Sequence, residues 1–382
     1  MIGVHAGAGL NQQIKKPQYR AVCEAACNRG LECLRSGGSA IDAVTQALVA
    51  LEDDPVTNAG LGSNFCLDGS IECDASLMDG SSLDWAGIGA ISSIKNPILV
   101  ARALLEEQKR EWPMGLIPPH ILVSEPARRW AQSKGFASAN LSTDRSKSLF
   151  MKYKSQLERQ EESSTFQHSG EKRFESDNAT RKDCGTKRPR SVELNFQSRN
   201  TIEERLDTVG AVAIDSNGRS ASGVSSGGII LKLPGRIGQA ASYGAGIWAQ
   251  DNVAVTTSGN GEYLMKTLFA RECGIQLLGT KPENYAPCID NLFKKSFTDS
   301  PYLKNVTIPK SAGIIALVGC PDEGSGELMW AHNTHTMAIG HSSLSTPFKF
   351  SLSELPHSSS MIFSSVSLKV SCNKRSISLE KL

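Results

Sequence analysis

The chain has 382 residues, 40% of them hydrophobic, which is enough to bury a sizeable core. A formal net charge of +2 gives it no overall polyanion-binding character and points away from direct nucleic-acid binding. No apolar run reaches the roughly 18 residues of a membrane span, and the first ten residues already carry a glycine motif, so neither a membrane segment nor a secretory signal is expected. The ten cysteines are scattered without a Cys-x-x-Cys pair, as suits reduced, mostly buried thiols in an intracellular protein.

A short strand from Ile2 to Val4 leads through His5-Ala6-Gly7-Ala8-Gly9 into a helix expected from about Pro17 to Ser36. Ser39 with Asp42 forms a capping-box start for a second helix, in which Ile41, Val44, Leu48 and Leu51 share a face before Asp54-Pro55 stops it. The runs Asn58-Ala59-Gly60-Leu61-Gly62 and Glu72-Cys73-Asp74-Ala75-Ser76 follow, and Asn96-Pro97 opens a helix with Val100, Leu104 and Leu105 inward.

Residues 137–207 differ in kind. They hold 26 charged residues among 71, against 21% for the whole chain, and lack long apolar runs. Met151 to Glu162 fits an amphipathic helix, and much of the remainder is expected to be mobile. Arg181-Lys182 with Lys187-Arg188-Pro189-Arg190 reads either as a nuclear import signal or as a solvated charged linker.

That segment ends abruptly at Leu206-Asp207-Thr208. From Thr208 to Asp215 the apolar residues occupy both faces, Val209, Ala211 and Ala213 against Val212 and Ile214, as in a strand buried between two layers. Ser216-Asn217-Gly218 supplies a turn, and Arg219 to Ser226 returns, bringing Ser225 and Ser226 beside Thr208. Threonine also favours strands generally, so it could simply begin one. The position has another use. A threonine hydroxyl needs a base, and an N-terminal threonine carries one, because the α-amine has a pKa of roughly 7.7 to 8.0. Only cleavage between Asp207 and Thr208 creates that amine.

Further along, a helix is expected after Glu262 with Leu264, Leu268, Cys273 and Leu277 inward, and a strand from about Gly313 to Val318. His332, His335 and His341 lie in a pattern that reads as a strand and its turn rather than a metal site. No role is evident for the serine-rich tail after about Ser342.

Small residues and glycines recur in Ser226-Gly227-Gly228, Pro234-Gly235-Arg236-Ile237-Gly238-Gln239, Tyr243-Gly244-Ala245-Gly246 and Thr257-Ser258-Gly259-Asn260-Gly261-Glu262, where a substrate backbone can come close. With the N-terminal motifs, this order resembles the threonine-nucleophile asparaginase family. The resemblance implies an α+β fold, the four-layer αββα sandwich of N-terminal-nucleophile hydrolases. It also implies self-cleavage into an α subunit, residues 1–207, and a β subunit, residues 208–382, with two such units pairing into a dimer.

The resemblance carries roles to particular residues. Thr208 becomes the nucleophile, Ser226 the second hydroxyl, Ser258 and Gly259 the oxyanion hole, and Asn58 the amide beside the amine. Gly7 becomes a close backbone approach, while Arg236, with Lys15 as an additional contact, binds carboxylate. No metal or cofactor is needed for this chemistry.

One position departs from the family's amino-acid hydrolases. These carry an aspartate three residues after the arginine to hold a free ammonium, and here that residue is Gln239. A protein substrate has no ammonium there, and an unpaired buried carboxylate would be costly. Gln239, Ser225-Ser226 and the preceding Asp207 resemble the threonine aspartase branch, which implies cleavage of proteins after aspartate, nuclear transcription regulators as substrates, and residence in nucleus and cytoplasm. The alternatives are an asparaginase or isoaspartyl peptidase acting on small molecules, and an uncut non-enzymatic protein binding nuclear partners.

Overall fold

The computed structural model describes residues 1–9, 15–170, 207–320 and 323–369, with the backbone alone for 161–170. The basic cluster at 181–190, most of the charged segment and the last residues of the tail lie outside the described residues.

Among the described residues two sheets face each other. The larger has eight strands, and its middle comprises β1 (Ile2–Gly9), β5 (Val209–Ile214), β6 (Ser220–Ser226) and β2 (Glu72–Asp79) in that order. β11 (Thr336–Ser342) and β12 (Lys349–Glu354) extend it beyond β1, while β3 (Trp85–Ser92) and β4 (Ile121–Val123) extend it beyond β2. The smaller sheet has the order β13 (Ile362–Lys369), β10 (Ser325–His332), β9 (Ala312–Cys320), β8 (Val253–Gly259), β7 (Ile247–Gln250). Helices α1 (Lys16–Arg35), α2 (Ala40–Asp53), α3 (Pro97–Glu107) and α4 (Ser124–Ser133) pack against the larger sheet. On the smaller sheet lie α6 (Gly261–Thr267), α7 (Phe269–Leu277) and α8 (Tyr285–Leu292), after α5 (Asp144–Gly170) in the chain. The order helix, sheet, sheet, helix is the expected αββα sandwich.

The strand pattern explains the layers. In β5, Val209, Ala211 and Ala213 join the core under α1 and α2, while Val212 and Ile214 join the core between the sheets. Thr208 and Gly210 share the latter face by the two-residue period of a strand. β1 divides likewise, with Ile2, Val4 and Ala6 toward the helices. α2 starts as expected, the Ser39 hydroxyl and the Asp42 carboxylate each accepting from the other's backbone N–H, and Val44, Leu48 and Leu51 are buried.

Two expectations need correction. Leu268 does not face inward: it takes a left-handed conformation (φ 46°), is 44% exposed and separates α6 from α7, and Phe269 fills the core against Phe293 and Phe297. The charged segment begins with a docked helix longer than expected. Phe150 of α5 lies 5.1 Å from the Phe65 ring, Tyr153 is buried, and Arg145 Nη1 donates to Val56 O at 2.7 Å. The region after Ser342 supplies two strands: β12 pairs with β11 and β13 pairs with β10 along their lengths. The histidine-rich stretch is β10 and β11, as read. His332 Nδ1 meets Thr334 O and Nε2 meets Ser353 Oγ, both at 2.9 Å, and His341 stacks on Trp330.

Candidate active site

Thr208 lies at the mouth of the space between the sheets, one residue before β5, and is 5% exposed. Its Oγ donates to Ser226 Oγ at 3.0 Å and accepts from Gln239 Nε2 at 3.1 Å. The hairpin register pairs Val209 with Ser225, which sets Ser226 beside the threonine. Ser226 Oγ also accepts from Gly228 N at 3.0 Å, so the second hydroxyl is fixed by the backbone behind it. On the other side, β1 pairs with β5 as far as Ala6 with Val209, placing Gly7 next to Thr208 where the strand bulges. Gly7 has φ 100°, a conformation that glycine adopts without a side-chain penalty.

The loop after α2 holds the Ser226-Gly227-Gly228 turn. Asn58 Nδ2 donates to Gly228 O at 2.9 Å, Asn64 Nδ2 donates to the same oxygen at 2.8 Å, and Gly227 N donates to Asn58 O at 2.7 Å. Asn58 therefore meets the turn behind Ser226. Its Oδ1 accepts from Asn64 N at 2.9 Å. Below the turn, the fully buried Glu52 accepts at Oε1 from Ser225 Oγ at 2.6 Å and from Ile98 N at 3.0 Å. Burial raises its carboxyl to about 8, against the opposing pull of the Ser225 hydrogen bond.

Arg236 sits where small residues converge. A Cβ on Gly238 would fall 2.7 Å from Nη1, and one on Gly261 would fall 2.7 Å from Nη2 and 2.6 Å from Gln239 Oε1. A side chain at either position would displace the Arg236 or Gln239 end groups, and Gln239 is held with its amide against Thr208. Nε and Nη2 of Arg236 each donate at 2.8 Å to the two oxygens of Glu262, leaving Nη1 as the outward edge. This bidentate pair holds the Glu262 carboxyl below its ordinary range against the desolvation that burial imposes.

Ser258 and Gly259 end β8, which faces β5 across the gap. Ser220 Oγ reaches Val253 O and Ser222 Oγ reaches Val255 O, and Thr256 lies over Gly210, so the next residue on that face, Ser258, is carried toward Thr208. Ser258 is fully buried, and its hydroxyl has no hydrogen-bond partner. Gly259 has φ 146°, and a Cβ there would lie 2.3 Å from Ser311 O. Only glycine fits. Asn260 completes the turn, accepting from Ser311 N at Oδ1, 2.6 Å away.

His5, fully buried, faces the same space with neither ring nitrogen in a hydrogen bond of normal geometry, and Thr256 Oγ is unpaired as well. Burial depresses the imidazole to about 3, with the Thr208 backbone favouring protonation less strongly, so the ring is neutral.

Lys15 precedes α1, and its carbonyl accepts from Tyr19 N, while the loop joining it to β1 lies outside the described residues. Burial raises the Tyr19 phenol of α1, and the negative charge of Asp207 adds to that effect. Glu52, Asn64, Lys232 and Glu262 belong to this neighbourhood although sequence reasoning gave them no site role. Glu262 alone had a local signal, an acidic residue in the first turn of a helix, favourable beside the helix dipole. A cavity of about 810 Å³ lined by Phe65, Ile71, Ser93, Leu141 and Lys147 among others includes none of the residues around Thr208, and the chemistry is not placed there.

A buried threonine hydroxyl between a hydroxyl and an amide, in the gap of an αββα sandwich, defines a hydrolase of the N-terminal-nucleophile type. The asparaginase family model matches residues 1–346, and the chain belongs to that family. It is 34% identical over 275 residues to the isoaspartyl peptidase/L-asparaginase of Xenopus laevis, covering 71% of this chain and 74% of that protein. The human isoaspartyl peptidase/L-asparaginase is 34% identical over 277 residues with the same coverage, and the Escherichia coli K12 isoaspartyl peptidase is 31% identical over 281 residues, again covering 71% and 74%.

Proposed function

We propose that the chain is a threonine endopeptidase that cleaves itself between Asp207 and Thr208 and then hydrolyses protein substrates after aspartate. The observation that carries this reading is Gln239 on the nucleophile: its Nε2 donates to Thr208 Oγ from a site 3% exposed. A carboxylate there would suit a substrate with a free ammonium. A neutral amide suits a nitrogen already in a peptide bond.

In the proposed reaction the Thr208 amine takes the hydroxyl proton as Oγ bonds to the main-chain carbonyl carbon of the substrate aspartate. The carbon–nitrogen bond then breaks, the amine returns the proton to the leaving nitrogen, and water hydrolyses the ester. Ser226 orients Oγ, and donors around Ser258 and Gly259 stabilise the oxyanion, one such donor contributing roughly 2.7 to 4 kcal/mol. Arg236 attracts the substrate carboxylate. Two self-cleaved units pair as a dimer, and the basic cluster at 181–190 directs the protein to nuclear substrates such as transcription regulators.

A second reading is favoured by the relatives, whose names describe isoaspartyl peptidases and L-asparaginases. In it, Arg236 holds an α-carboxylate while a side-chain amide is cut.

Intact mass of the purified protein, followed by assays on an aspartyl peptide, an isoaspartyl dipeptide and free asparagine, separates the two. Fragments 1–207 and 208–382 with peptide cleavage after aspartate are expected. Turnover of only the dipeptide and asparagine would transfer the function to the second reading, and an uncut, inactive chain would remove both.

A further inference from the structure

Lys232 is 2% exposed, and its ammonium has one hydrogen bond, Nζ to the Glu72 carbonyl oxygen at 2.7 Å. Among the described residues no carboxylate lies within ion-pair distance of it. The neighbouring acids are committed elsewhere: Glu262 to Arg236, Glu72 Oε2 to Gly235 N, and Asp74 to the backbone N–H groups of Ala90 and Gly238. A buried cation with so little compensation is expensive.

Its head points at the site. From the position that a Cβ on Gly228 would occupy, Lys232 Nζ is 3.0 Å away and Arg236 Nη1 is 3.2 Å away. Nη1 is the edge of Arg236 that Glu262 leaves open. Gly228 has φ 68°, and its N–H donates to Ser226 Oγ, which in turn accepts from Thr208. Two cations thus converge over a glycine two hydrogen bonds from the nucleophile. One counterion, Glu262, serves the pair, so one positive charge is left for a ligand.

We infer that Lys232 is a second reader of the substrate carboxylate, which lies over Gly228 between Lys232 Nζ and Arg236 Nη1 while Glu262 holds the other edge of the arginine. The ligand is a single carboxylate, and the glycine is required because any side chain would fill its place. This rests on the proposed reading for the identity of that carboxylate, the side chain of the residue before the scissile bond.

The test compares wild type with Lys232→Met and Lys232→Arg on paired peptides carrying aspartate or asparagine at that residue. Calorimetry with N-acetyl-aspartate amide and N-acetyl-asparagine amide runs beside it, and melting and self-cleavage serve as controls of folding. Lys232→Met is expected to raise KM for the aspartyl peptide and weaken binding of the aspartate amide by about tenfold or more, with a smaller change in kcat, because a charge-assisted hydrogen bond to the carboxylate is lost. The asparagine pair should barely change, and Lys232→Arg should keep the preference for aspartate. Equal losses on both ligands, or aspartate binding unchanged in a folded Lys232→Met, would overturn the inference. A wild type that binds the aspartate amide through Lys232 but cuts no peptide would leave the subsite standing and defeat the proposed endopeptidase.

Discussion

The space between the two sheets is built differently at its two ends. At one end Met1, Val212, Ile214, Leu317 and Leu328 form an apolar seam whose role is adhesion. At the other end Thr208, Ser226, Gln239, Thr256, Ser258 and His5 are as deeply buried but polar, and several of their atoms have no partner. Burying unpaired polar groups works against stability, so the second end is held by its surroundings, while the first contributes to holding it. Strands of one register serve both ends, because one face of β5 carries Ile214, Val212 and Gly210, and Thr208, just before the strand, continues that face.

The largest break in this contrast is Thr208→Val. It should leave one full-length chain by intact mass and no turnover while melting close to wild type, and a cut variant would remove the mechanism. At the opposite end, Leu317→Ala should cost roughly 2 to 5 kcal/mol of stability in denaturant titration through the cavity it leaves, with substrate preference unchanged. Arg236→Ala should raise KM for an aspartyl peptide on the order of tenfold or more, and undiminished cleavage would mean that another residue reads the aspartate.

The buried acid gives a pH test of the polar end. Glu52 is raised from 4.5 to about 8, so the fold favours its protonated form. The stability it brings is full below the unfolded value and is lost as pH rises through the folded one. Glu52→Gln should flatten that decline, measured by denaturant titration near pH 5 and near pH 9, and an unchanged slope would reassign it. The smallest change of shape is Gln239→Asp, expected to slow peptide cleavage and to let amino-acid amides compete as inhibitors. A variant protease of unchanged specificity would undo the argument from the neutral amide.

Much of the frame was legible because it rests on local periodicity. The two-sided apolar pattern of β5, the Ser216-Asn217-Gly218 turn and the capping box of α2 each repeat or close within a few residues, and each appears in the structure. The glycine clusters marked the site for a similar reason, since a close approach or a positive φ admits little else. The errors came where distant contacts decide. Leu268 fits a helical face by spacing, yet the backbone breaks there and Phe269 takes the core. The tail after Ser342 offers little signal by itself, and it became strand because β10 and β11 present open edges to it.

The sequence by itself determined that Thr208 opens a strand buried between two layers, and the hairpin that brings Ser226 to it, because both are written in neighbouring residues. Only the tertiary structure decided that Glu262 closes one edge of Arg236, that Lys232 turns its ammonium toward the other, and that Glu52 sits without charge compensation beneath Ser225. Those are charges brought together from far apart in the chain. Their energies depend on distance and burial, which no local pattern encodes.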